Sequence, residues 1–260
     1  NYTVFMITMR LGSQGIPLWF RCFHGNDDPQ AFNENLLIEG ISYISNLFSN
    51  DFDLIFLADR WFNSTSLMKH IDTLGHTYVF RLKHNIKVLH YDKKEEHKIW
   101  KTLNDLPTLK YHPVKFKDIE LTEKKYKTNI VISDAINTDE PWILATNGNP
   151  NRAIKDYGYR FGGIETVFKN QKSNGFYLEN TVNASLKYFE SMYTLAYTAI
   201  LYLTILGSDF AKNRRCYRKI KIKIHVTIQG TKKRTMSLFH KTFHSLIYIR
   251  LPFTFILYDS

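Results

Sequence analysis

Cysteine is scarce: the 260 residues hold only Cys22 and Cys216, far apart in the chain. That excludes a disulfide framework and fits a reducing compartment. No apolar run reaches the roughly 20 residues that cross a bilayer. The most apolar stretch, 195–206, is interrupted by Thr198, Tyr202 and Thr204 and suits a buried core helix better. There is no phosphate-binding glycine loop, dinucleotide fingerprint, internal repeat or low-complexity tract. His240 and His244 share an i, i+4 spacing but lack the Glu of a zinc-protease helix and any supporting Cys. The chain shows no initiator Met, no remnant of a signal peptide, and no Asp or Glu before Asp27. These features lead us to expect a cytoplasmic protein with no membrane association.

Acidic residues are nearly absent from one end. Residues 212–260 carry twelve Lys/Arg and a single acid, Asp259, so the whole excess of +11 lies there. The remaining 23 basic and 23 acidic residues of 1–211 cancel. Such a segment is an electrostatic footprint for nucleic acid. A solvated tail or a Lys-protected edge strand, as in Lys219–Ile224, would have the same composition. Apolar residues make up 44%, as in a globular protein, and the length allows one large or two small domains.

Periodicity places the elements. Tyr2–Leu11 and Ile16–Phe23 read as a β-hairpin closed by Gly12–Gly15. A helix is expected from about Pro29 to Ser49, with Phe32, Leu36, Leu37, Ile41, Ile44, Leu47 and Phe48 near a helical period. Leu54–Ala58 is a short apolar run that reads as a buried strand ending in Asp59. Asn63 and Ser64 are good caps for a helix over roughly 64–74, and Gly75 stops it. Thr77–Lys83 reads as the next strand. Strands are then expected at 86–91, 114–116, 126–133 and 142–146, separated by charged loops such as 92–98. Trp100 and Trp142 in this region are more naturally core aromatics than platforms for unpaired bases. Ser173–Phe176 reads as a helix stop, and Asn183 as the cap of a long helix to about Leu206.

Two constellations carry chemistry. A carboxylate at the C-terminal end of a buried α/β strand, as at Asp59, stands where ligand-binding groups tend to lie. It could equally cap the next helix. Further on, Tyr157 and Arg160 precede a predicted helix start, followed by Glu165, Lys169 and Lys172. The last three fall at i, i+4 and i+7 and so share one face, with Ile164, Val167 and Phe168 largely opposite. A carboxylate among phosphate-binding cations suits metal-assisted phosphodiester chemistry. An amphipathic helix with a solvated charged face has the same pattern.

Together the two regions resemble DDE transposases of bacterial insertion sequences. Their signature is Tyr, two residues, Arg, three residues, Glu, six residues, Lys. Tyr157, Arg160, Glu165 and Lys172 match it, except that four residues, Phe161–Ile164, separate Arg160 from Glu165. The Leu54–Phe62 and Thr77–Lys83 segments resemble the second catalytic Asp region of the same family. The resemblance implies an α/β fold, a ribonuclease-H-like core with a β-rich insertion. It implies a division into 1–83 (start of the core), 84–150 (insertion), 151–211 (helices carrying Glu165) and 212–260 (basic segment). It implies Asp59 and Glu165 as catalytic magnesium ligands of a two-metal site. Tyr157, Arg160, Lys169 and Lys172 would hold DNA. The implied partners are double-stranded transposon ends and target DNA, with a homodimer in the synaptic complex and a nucleoid-associated location.

The family's first catalytic Asp lies on a strand upstream of the hairpin, and no acid here replaces it. Asp27 and Asp28 sit in a turn, and Asp51 and Asp53 precede the Asp59 strand at its wrong end. The chain is therefore expected to be a fragment with an incomplete active site. The alternatives are a non-catalytic DNA-binding remnant, or a nuclease of the same fold with no role in transposition.

Overall fold

The computed structural model describes residues 2–11, 14–24, 34–48, 52–62, 64–92, 97–122, 125–134, 140–162, 164–172 and 185–212. The expected features at 27–28, Phe32, Asn63, 173–176, Asn183 and beyond 212 lie outside them. The chain is mixed α/β and divides into two compact units, residues 25–161 and residues 1–24 with 162–260. This partition cuts across the expected one: the hairpin falls with the helices after residue 162, not with the Asp59 strand.

The 25–161 unit is built on a seven-stranded sheet. Its strands are β3 (Ile55–Ala58), β4 (Thr77–Arg81), β5 (Lys87–Asp92), β6 (His97–Thr102), β7 (Val114–Leu121), β8 (Tyr126–Ser133) and β9 (Trp142–Thr146). The order is β3-β4-β9-β8-β7-β5-β6. β3 and β4 are parallel, and every other pairing is antiparallel. The strands expected to form an insertion thus continue the sheet of β3 and β4, because β9 returns to pair with β4. Of the charged loop expected at 92–98, Asp92 ends β5 and residues 93–96 lie outside the described ones. His97 and Lys98 open β6, a strand at the sheet's end, where exposed charge discourages pairing with other chains.

β3 lies at the opposite end of the sheet. Its four apolar residues read as a strand covered on both sides, yet Ile55 is 43% exposed and none is fully buried. Neighbouring β4, with partners on both sides, buries Tyr78, Val79 and Phe80. Among the described residues, β3 has a strand on one side only.

Two helices precede β4. In α1 (Glu34–Phe48), Leu37, Ile41 and Ile44 are buried, whereas Leu47 is exposed, contrary to its expected place in the core. In α2 (Thr65–Thr73), Leu67, Met68 and Ile71 are buried. Ser64 is the N-cap: its Oγ accepts from the amides of Ser66 (3.2 Å) and Leu67 (3.3 Å), and its hydroxyl donates to Glu34. At the other end Gly75 has φ +76°. Its amide donates to the Asp72 carbonyl and that of His76 to the Ile71 carbonyl, a left-handed helix ending that suits glycine. Ser64→Ala is expected to lower stability by about 1 kcal/mol in urea denaturation. Ser64→Asp, ordinarily as good a cap, should be no better than Ala because the Glu34 carboxylate faces that position.

The other unit holds the hairpin β1 (Tyr2–Leu11) and β2 (Gln14–His24), with α4 (Ile164–Lys172) and α5 (Leu186–Lys212) packed on it. Val167, Tyr197, Ile200 and Leu203 form its core, against Met6, Phe20 and Tyr193. Cys22 is buried here, and its thiol is pushed up to about 12 by desolvation and then by the charge of Glu190. It stays a neutral, unreactive thiol at neutral pH. α5 corrects one expectation: as a continuous helix, Leu186–Leu206 is long and apolar enough to cross a membrane by length and composition. One third of that window is buried within the protein.

Candidate functional site

The site begins where β3 ends. The parallel β3–β4 pair brings Asp59 to the C-terminal end of its strand, and a short 3-10 turn, Arg60–Phe62, follows. The Phe62 amide donates to the Asp59 carbonyl at 2.9 Å, and the Arg60 amide donates to Asp59 Oδ1 at 2.7 Å. The carboxylate is thereby fixed by its own turn.

The second half comes from far along the chain. α3 (Ala153–Gly158) and the 3-10 turn Tyr159–Gly162 deliver Arg160, whose Nη2 donates to Asp59 Oδ2 at 3.0 Å. The side chains are 20% and 29% exposed, so the ion pair is partly screened and contributes about 1 kcal/mol. The guanidinium carbon also lies 5.8 Å from the ring centroid of Phe161, the next residue in the turn.

Tyr157 holds this turn in place. It is fully buried, packed with Val79, Val131, Leu144 and Ala153. Its ring meets Trp142 edge-on at 5.2 Å, and Trp142 stacks on Phe161 at 5.4 Å. Tyr157 therefore presents no surface to a phosphate, which corrects its expected role as a DNA-contacting residue. Its ring packs against Trp142 and Phe161, beside the turn that carries Arg160. Trp142 is half-buried and packs against this core, while Trp100 is 42% exposed on β6, contrary to its expected place in the core.

Glu165, Lys169 and Lys172 lie on α4, in the other unit. Glu165 occupies the first turn, where a carboxylate is favoured by the helix dipole. Glu165 and Lys169 are exposed, while Val167 is fully buried. Glu165 and Lys169 share the exposed face that the spacing implied, with Ile164 and Phe168 half-buried, and the Lys172 side chain lies outside the described ones.

Asp59 alone does not make a magnesium site. Its two oxygens already accept from Arg160 and from the Arg60 amide, and no group of three or more His, Cys, Asp or Glu side chains gathers among the described residues. No model of a known protein family and no curated protein matches this chain.

Proposed function

We propose that this chain is a DNA-handling protein of the DDE transposase type with an incomplete catalytic site. The observation that carries the reading is the pairing of Asp59 with Arg160, 101 residues apart. The two motifs are separate in the sequence, and they meet as a carboxylate and a guanidinium beside a parallel strand end. A ribonuclease-H-like core is the finer fold this reading favours, supported by the parallel β3–β4 pair and by Asp59 at the end of β3. Arg160 and Lys169 are the assigned phosphate-binding side chains, with Lys172 matching by sequence. Asp59 and Glu165 are the assigned acids. Magnesium, if bound in a complete enzyme, would supply charge stabilisation at the scissile phosphate. The partners are duplex transposon ends and target DNA, handled by a homodimer in the cytoplasm.

The test incubates residues 1–260 with magnesium and duplex DNA. Binding without strand transfer is the expected result. Robust cleavage abolished by Glu165→Ala would overturn the incomplete site, and cut ends never joined to a target would indicate a nuclease. Absence of any duplex binding at low salt would overturn the whole reading.

A second reading, a non-catalytic DNA-binding remnant, is favoured by the missing cluster of acids among the described residues. It predicts salt-sensitive binding with no chemistry under any metal.

A further inference from the structure

Next to Asp59, the 25–161 unit carries a cleft of about 520 Å³ that none of these roles uses. Arg60, Arg81, Lys83, Asn85, Asn104 and Glu140 are among the residues that line it. Three of these are cations and one is an acid. The cations come from the ends of the two parallel strands: Arg60 follows β3, and Arg81 and Lys83 end and follow β4. Both guanidinium groups converge on one carboxylate oxygen, Glu140 Oε2, at 2.9 Å from Arg60 and 3.4 Å from Arg81. Two arginines focused on one oxygen are suited to a phosphate. The Glu140 side chain is 57% exposed, so an incoming anion can displace it without opening the core.

An aromatic surface adjoins the cleft. Trp61, beside Arg60, is 70% exposed, the largest value among the described large hydrophobics. The Lys83 ammonium, itself a cleft residue, lies 5.5 Å from the Trp61 ring centroid. An exposed indole beside a row of cations combines the two features by which proteins hold unpaired strands, base stacking and backbone charge. A duplex keeps its bases inside, so it would leave the indole unused.

We infer that this cleft binds a single-stranded stretch of DNA, with a phosphate between Arg60 and Arg81 in place of Glu140 and an unpaired base on Trp61. The inference rests on the DNA-handling reading only for the choice of DNA as the polymer. Glu140 acts as a competing anion that strand binding displaces.

The test uses the full chain and a single-stranded oligonucleotide carrying 5-iodouracil. Ultraviolet cross-linking followed by peptide mass spectrometry should place the adduct on Trp61. Trp61→Ala should weaken binding of the unmodified strand about tenfold, with little change in its salt dependence. Glu140→Gln should strengthen binding several-fold, an outcome that a merely structural ion pair would not give. Adducts confined to residues 212–260, or unchanged affinity in both variants, would overturn the inference. Cross-linking at Trp61 in a protein that never joins DNA ends would leave it standing while removing the transposase reading.

Discussion

Tyr157→Ala is expected to destabilise the 25–161 unit by about 3–5 kcal/mol, the range for truncating a buried aromatic. The ring is fully buried and touches residues of β4, β8, β9 and α3 at once. Its loss leaves a cavity among Val79, Val131 and Leu144, inside strands that cannot close in without breaking their ladders. Trp142 and Phe161 lose the edge-on partner that fixes the turn carrying Arg160. Hydrogen exchange should speed up in β4, β8, β9 and α3, and least in the hairpin unit. A protein that keeps its protection in those strands would show that Tyr157 does not anchor the site. Tyr157→Phe retains the ring and should keep most of the stability.

Removal of residues 212–260 is the second large effect. That segment carries the entire +11, so the remaining chain is close to neutral. Binding to duplex DNA scales with the phosphates neutralised, and affinity should fall on the order of 10²–10³-fold at moderate salt. The slope of log affinity against log salt should flatten at the same time, which separates lost charge contacts from damaged structure. Unchanged affinity and slope after the deletion would move the duplex footprint away from this segment and onto the α4 cations or the Arg60–Arg81 cleft.

Much of the local structure was legible because local chemistry decides it. Ser64 and Gly75 bracket α2 as capping rules require, and the strand at 126–133 follows from its apolar, β-branched run. β6 was not legible: His97, Lys98 and Lys101 give it the composition of a loop, and only its position at a sheet end makes that charge tolerable. α3 is six residues long, too short to show a period. The exposure of β3 was missed because an apolar run reports what a strand could bury, and not whether a neighbour covers it.

The candidate site divides in the same way. Asp59 at a strand end and the charged face of α4 are local patterns, and both were read from spacing. The closeness of Asp59 and Arg160 depends on how β9 and α3 return to β4, which no local pattern encodes. The reassignment of Tyr157 has the same cause, since burial is a property of the assembled sheet. The cleft beside Trp61 went unread because its lining residues are scattered along the chain, at 60, 81–85, 103–104, 108, 132, 140–141 and 143, and no local pattern joins them.

The most direct test of the account is a double-mutant cycle on DNA affinity with Asp59→Asn and Arg160→Ala. If Arg160 reaches DNA from beside Asp59, Arg160→Ala should weaken binding about tenfold, the loss of one charged contact. Asp59→Asn should strengthen binding several-fold, because it releases the guanidinium to reach the backbone. In the Arg160→Ala background the effect of Asp59→Asn should largely vanish, since the two groups act through one contact. Full additivity of the two changes, or unchanged affinity on losing Arg160, would contradict the claim that the two motifs form one DNA-handling site.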